Sequence, residues 1–429
     1  MRSLAYLLIL PYIAVAYGFI MPLGDVDEAL GSLSRIAGIP AGIAWVCAIA
    51  GGGAIRRPNG YVWALFAFFA FSAMSLLWTV DQATTLFVIQ RHAIFAAGSF
   101  LIWDLVRTKE QLRGALQAAV VTGWTISLTL FFNASANATV LAGRVSALGL
   151  HPNQVPRLLG MLFPIAWCLA LEMPYRKAWL NILNLIFPLI GTVAMLTTGS
   201  RGGLVACLPA YIYLLLSLRR LRGSQAVSLG VLGTGGVVLA LSRLNLEYQL
   251  QRIGTMFGGA STVDDTGSGD LSNGRLAIWE AGLHRFVDNW VLGVGSGGFP
   301  ESTRYYALER KASGQPLVAH NTYLSALVET GVIGFSIFIV LIGTVVAGLL
   351  RLPPGWKAGL IATFSVLAFG IFTGSWDHQV QMYLVLTLLA TACAVLQEAS
   401  DAEEMAAEPS HIDEEEPSAF PPKLGVAPQ

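Results

Sequence analysis

The sequence predicts an all-α, polytopic membrane protein with about 12 transmembrane helices and one long extracytoplasmic loop containing short helices. Three observations carry that prediction. Hydrophobic residues make up 55% of the chain and charged residues 12%, about half the charge of a soluble domain. Mean hydropathy is +0.62. The apolar residues fall in membrane-length runs joined by short polar connections, with one long exception between Leu241 and Ala319. A soluble fold of this length could not hide so much apolar surface, so lipid serves as part of the solvent.

A crossing needs roughly 17 to 25 mostly apolar residues. That rule places helices near 3–23, 36–54, 61–78, 90–106, 114–132, 153–172, 179–197, 203–218, 225–241, 321–350, 358–375 and 379–397. The first run is as long as a full crossing, so it reads as a helix rather than a cleaved leader. Gly51-Gly52-Gly53 ends the second helix and reads as packing or flexibility. Arg91 and His92 are expected at the edge of the fourth. No run carries a charge near its centre, which argues against an ion-coupled transporter. After Glu398 the chain turns acidic and Pro-rich and is expected to be disordered. Four regions follow: a transmembrane bundle over 1–240, the long loop over 241–320, C-terminal transmembrane helices over 321–397, and a tail over 398–429.

Net charge is zero, from 26 basic and 26 acidic residues, which argues against a nucleic-acid partner. The four cysteines, Cys47, Cys168, Cys207 and Cys393, each lie in an apolar run and lack metal or redox spacing. Orientation follows from the basic residues. With the N-terminus inside, 14 of the 26 fall on cytoplasmic connections, among them Arg56, Arg57, Arg107, Arg219, Arg220 and Arg222. Five fall on short outer connections: Arg35, Arg91, Arg144, Arg157 and Arg201. The bias puts the long loop outside and both termini in the cytoplasm.

Several residues stand where chemistry is possible. Arg201 lies in Thr197-Thr198-Gly199-Ser200-Arg201-Gly202-Gly203, a connection too short to carry it far from the membrane surface. Arginine at that depth needs an anion, a partner or water. Two readings stand open: a tight hairpin whose arginine reaches lipid phosphates, or a ligand-phosphate site suited to the guanidinium fork. Within the long loop, Leu276, Trp279, Leu283 and Phe286 recur at helical spacing, with Ser272 or Asn273 as cap. Arg275 in the first turn is unfavourable for the helix dipole unless an anion binds there. Asp264 and Asp265 lie in a Ser/Thr/Gly-rich stretch that reads as flexible.

Gly293-Val294-Gly295-Ser296-Gly297-Gly298-Phe299 lacks the strand and helix of a dinucleotide loop. It reads better as a turn that lets the loop pack closely on the membrane domain. Arg304, Tyr305 and Tyr306 follow, as a groove lining or as interface residues. His320-Asn321 opens the tenth helix at the outer face, where a histidine can accept a proton. Asn321 either caps the helix or orients the imidazole. Asp377 and His378 lie in the last outer turn, as partners of a basic residue or as a solvated turn. His151-Pro152-Asn153 opens the sixth helix on the same side, with residue types that suit a helix start.

Taken in order, these motifs resemble the O-antigen ligase and polymerase superfamily of bacterial inner-membrane glycosyltransferases. The resemblance rests on Ser200-Arg201-Gly202, on Arg275 with Trp279 followed by Gly293-Val294-Gly295 and Phe299, and on His320-Asn321-Thr322-Tyr323-Leu324 through Glu329-Thr330-Gly331-Val332-Ile333-Gly334. Pro152-Asn153 matches as well. Trp290 stands where the family often has proline. The resemblance implies a donor glycan on undecaprenyl diphosphate and an acceptor hydroxyl on lipid A-core, for a ligase, or on another lipid-linked glycan, for a polymerase. It implies inverting transfer, no metal and no cofactor, and a site facing the periplasm. Arg201 and Arg275 would grip the diphosphate, and His320 would take the acceptor proton, making these three the catalytic set. Ser200, Asn321, Arg304 and Asn153 are the expected substrate-binding residues. A ligase is the favoured expectation, a polymerase of the same fold the alternative, and a transporter the reading from another class.

Overall fold

The computed structural model describes residues 1–18, 33–136, 145–242, 275–304, 318–374 and 379–407. Asp264, Asp265, Ser272, Asn273, Tyr305, Tyr306, Asp377 and His378 lie outside them, as does the chain after 407. Among the described residues every regular element is helical. The helices are α1 Arg2–Gly18, α2 Leu33–Ala50, α3 Gly60–Met74, α4 Gln82–Leu105, α5 Lys109–Ser135, α6 Val155–Glu172, α7 Ala178–Leu196 and α8 Arg201–Ala206. They continue as α9 Leu208–Ser217, α10 Gly223–Ser228, α11 Thr234–Ser242, α12 Arg275–Asp288, α13 Phe299–Ser302, α14 Thr322–Leu350, α15 Pro354–Phe372 and α16 Val380–Ala407.

Eight helical segments among the described residues are long and apolar enough to cross a membrane. They make this a multi-pass membrane protein. The criterion does not confirm the expected twelve: the described parts of α1 and α2 fall below it, α8 and α9 are divided at Cys207, and α10 joins α11 through a wider π-type turn at Leu229–Gly233. Helix starts follow their chemistry. Asn59 caps α3 through Val62 N at 3.1 Å, and Asp81 caps α4 through Thr84 N at 3.0 Å. Thr108 and Gln111 form a reciprocal capping box on α5.

The bundle closes around α6 and α16, whose apolar windows are 89% and 83% buried. α6 packs on α5, α7 and α15, and α16 on α1, α4, α5 and α14. Tight spots are kept by small residues, as where Gly123 meets Phe187 and Gly191 meets Phe163. One end of the bundle is basic. There Asp104, fully buried, accepts from Arg2, Arg107, the Trp45 indole and the Arg56 backbone. Arg113 stacks on Tyr175 at 4.8 Å, and Arg220 pairs with Glu172.

Two sequence expectations are corrected here. α4 begins at Gln82, so His92 lies well inside the helix and is 3% exposed, stacked on Phe69 at 4.4 Å and bonded through Nδ1 to Ser72 Oγ at 3.0 Å. Arg91 rides on the same helix beside Phe87 and Phe95, not on an outer connection. The last helix also runs past the expected boundary at 397. Glu398 and Glu403 continue it to Ala407 and pair with Arg56 at 2.6 Å and Lys109 at 2.5 Å. The first acidic residues of the expected tail therefore clamp the basic end.

Candidate functional site

The site lies at the end of the bundle opposite Asp104, where α6 and α14 begin and α15 ends. Gly355 at the start of α15 abuts Glu172, so α15 runs back along α6 toward its first turn. Two consecutive carbonyls at the end of α15 tie the helix starts together. Thr373 O accepts from Arg157 Nη2 at 3.0 Å, and Gly374 O accepts from Thr322 Oγ1 at 2.7 Å. Thr322 is the first residue of α14, so these bonds bring Arg157 near His320.

Asn321 caps α14, its Oδ1 accepting from Tyr323 N at 3.0 Å and Leu324 N at 3.2 Å. Of the two expected roles for Asn321, the helix takes its acceptor oxygen. His320 just before it has φ +47°, a left-handed backbone that a non-glycine residue holds only when its surroundings impose it. Burial, then the charges of Arg275, His151 and Arg157, hold its imidazole below the usual pKa of 6.5. The neutral ring, able to accept a proton, is the favoured form at neutral pH.

The first motif approaches from α8. Ser200 is its N-cap, 4% exposed, with Oγ accepting from Gly203 N at 3.2 Å, and Arg201 is its first residue. A side chain at Gly202 would begin 4.0 Å from Arg157 Nη2, so this turn faces the start of α6.

The second motif approaches on α12. Trp279 Nε1 donates to Ala319 O at 2.8 Å, and its ring stands edge-on to Phe372 at 6.1 Å. Ile278, Trp279 and Phe286 pack with Val294, Phe299, Ala319, Leu324 and Val328 in a small core of their own. The expected apolar stripe is therefore displaced. Leu276 and Leu283 are 62% and 50% exposed, because buried Ala281 and Gly282 let α12 approach Phe299 and α14 on a different face.

The glycine-rich stretch fastens this unit to the membrane helices. α14 breaks at Gly331, which has φ +61° and ψ −170°. The break frees backbone groups, and the stretch from Trp290 to Gly295 takes them up. Val294 N and Gly295 N donate to the carbonyls of Val328 and Glu329 at 3.0 and 2.9 Å, and Val332 N donates to Trp290 O at 2.8 Å. A Cβ on Gly293 or Gly331 would run into the opposing backbone. Glu329, 3% exposed, accepts from Gly297 N at 2.7 Å and Phe299 N at 3.4 Å. Ser296 lies against α3 and α4, bonded to Ser72, Ser75 and Thr85. The stretch is a docking turn, as its sequence context indicated.

Of the remaining expected residues, Asn153 lies in the turn before α6, its N–H donating to His151 Nδ1 at 3.2 Å, and α6 itself starts only at Val155. Arg304 is exposed and pairs with Glu301 at 3.4 Å; no described contact links it to His320. Sequence reasoning missed Arg157, which it placed on a connection. The residue lies in the first turn of α6 and is 3% exposed. An arginine two residues inside an apolar run was the available signal. His151, which the sequence placed at the opening of the sixth helix, acts on His320 through its charge.

None of the curated proteins matches the chain. Residues 185–339, from α7 through the first part of α14, match the family model described as O-Antigen ligase. Arg201, Arg275, His320 and the docking turn all lie in the matched segment. With the three motifs in order on a multi-pass helical bundle, the match over residues 185–339 supports the resemblance of this chain to the O-antigen ligase superfamily.

Proposed function

We propose that the protein is an O-antigen ligase-type glycosyltransferase, moving a glycan from undecaprenyl diphosphate to a lipid A-core hydroxyl on the periplasmic side of the bacterial inner membrane. One observation carries this function. His320 lies within electrostatic reach of the Arg275 and Arg157 guanidinium groups, at the edge of the membrane bundle. Among the described residues, neither Arg157 nor Arg275 has a carboxylate within ion-pair distance. A leaving diphosphate needs cationic groups and an attacking hydroxyl needs a base.

The acceptor oxygen attacks the anomeric carbon from the face opposite the diphosphate, which inverts that centre. The bond from that carbon to the phosphate oxygen breaks, and its electron pair leaves with the diphosphate. His320 takes the hydroxyl proton, while Arg201 and Arg275 stabilise the charge building on the phosphates. We assign Ser200, Asn321 and Asn153 to substrate binding beside them. Arg304, exposed and paired with Glu301, is assigned to the glycan rather than to the phosphates.

The test uses purified protein in detergent, incubated with lipid-linked glycan and lipid A-core, with products followed by gel. Glycan on lipid A-core with release of undecaprenyl diphosphate is the expected result. Lengthening of the lipid-linked glycan instead would make the protein a polymerase. Neither product, over several donors, would sink the transferase assignment.

A further inference from the structure

We propose that Arg157 is a third anion-binding cation of this site, gripping the donor diphosphate from inside the membrane bundle while Arg275 grips it from α12. The inference rests on the transferase reading above and adds a residue that lies outside the matched segment. Arg157 is 3% exposed, and one of its nitrogens is committed to Thr373 O at 3.0 Å. Its Nε is buried with no acceptor, and no described carboxylate pairs with it. A buried guanidinium with an unmet donor and no counter-ion is costly unless an anion completes it.

The surroundings fit an anion. Arg157 lies within electrostatic reach of both Arg275 and His320. Gly202 lies beside its guanidinium, where an added Cβ would begin 4.0 Å from Nη2. The two arginines belong to different units: Arg157 to the enclosed helix α6, Arg275 to the extramembrane helix α12. A diphosphate has two phosphoryl groups and can span both. The bond between Thr373 and Arg157 fixes where the inner phosphate sits.

The shared chemistry is a diphosphate, lipid-borne or free, so the probes are geranylgeranyl diphosphate and inorganic pyrophosphate. Each is titrated against full-length protein in detergent, with thermal unfolding as the readout. The variants are Arg157→Gln, Arg157→Lys and, at the opposite end of the bundle, Arg351→Gln. Wild type and Arg351→Gln are expected to bind the lipid diphosphate alike. Arg157→Gln is expected to weaken binding about 10- to 100-fold, and Arg157→Lys to fall between because it keeps charge but loses the fork. If Arg157→Gln fails to fold, Arg157→Lys with a wild-type ligand-free midpoint decides. Wild-type binding in the deciding variant overturns the inference and leaves the transferase reading standing. Absence of binding to wild type overturns the diphosphate donor itself. Stabilisation by pyrophosphate but not by the lipid overturns a lipid-borne source.

Discussion

The indole Nε1 of Trp279 donates to the carbonyl of Ala319 at 2.8 Å, fastening the helix that carries Arg275 to the residue before His320. Two groups distant in sequence are thus tied by this bond beside the small core that packs α12 on α14. Trp279→Phe keeps most of the apolar contact with Phe372 and removes only the donor. A lost bond of this kind is worth about 1 kcal/mol, so transfer should slow roughly fivefold. Initial rates on the same donor and acceptor check this. A wild-type rate would mean that α12 is positioned by its small core alone.

The pH dependence of transfer follows from the direction of the His320 shift. Burial and three neighbouring basic side chains lower its pKa below 6.5, so the ring stays neutral to more acidic pH than an ordinary histidine. Activity that needs the neutral base is full at neutral pH and falls only as pH drops through a value below 6.5. Arg157→Gln removes one of the cations responsible and should move the inflection upward. A kcat/KM profile with its acid limb at or above 6.5 in wild type would contradict the shifted base.

Loss of the proposed catalytic groups should separate chemistry from folding. His320→Ala and Arg275→Ala are each expected to abolish transfer, with rates down by about 10²-fold or more, while the protein stays in the membrane. Arg201→Lys should be impaired, since lysine keeps the charge but not the two-pronged contact. Surface glycan profiles of complemented cells check all three. Normal glycan with His320→Ala would remove the base from the mechanism and leave a transporter as the better explanation.

The crossing helices were legible because lipid imposes length and apolarity on every one of them. Their boundaries were less so wherever a polar residue is satisfied by something distant. Arg157 looked like part of a connection because its partner carbonyl is 216 residues away. His92 looked like an edge residue because Ser72, on another helix, answers it. Glu398 and Glu403 read as tail because Arg56 and Lys109 lie far back in the sequence. The stripe on α12 was misplaced for a related reason. Leucine spacing marks one apolar face, but the small pair Ala281 and Gly282 decides which face packs. The motif glycines could be recognised in sequence, yet the break in α14 could not, since apolar residues continue on both sides of Gly331.

That break gives the sharpest stability prediction. At Gly331 the backbone is left-handed in φ and extended in ψ, and an added Cβ would meet the Val291 carbonyl. Gly331→Ala should therefore destabilise by more than about 1 kcal/mol. The midpoint of thermal unfolding in detergent should fall by about 2 °C or more. The matched control is Gly343→Ala on the same helix, where an added Cβ meets nothing within 4 Å and the backbone is helical. There alanine should leave the midpoint unchanged or raise it slightly, since it is the better helix former. If both variants melt with wild type, Gly331 does not hold the break, and the docking of Gly293-Val294-Gly295 onto Val328 and Glu329 must be sustained by the Glu329 carboxylate instead.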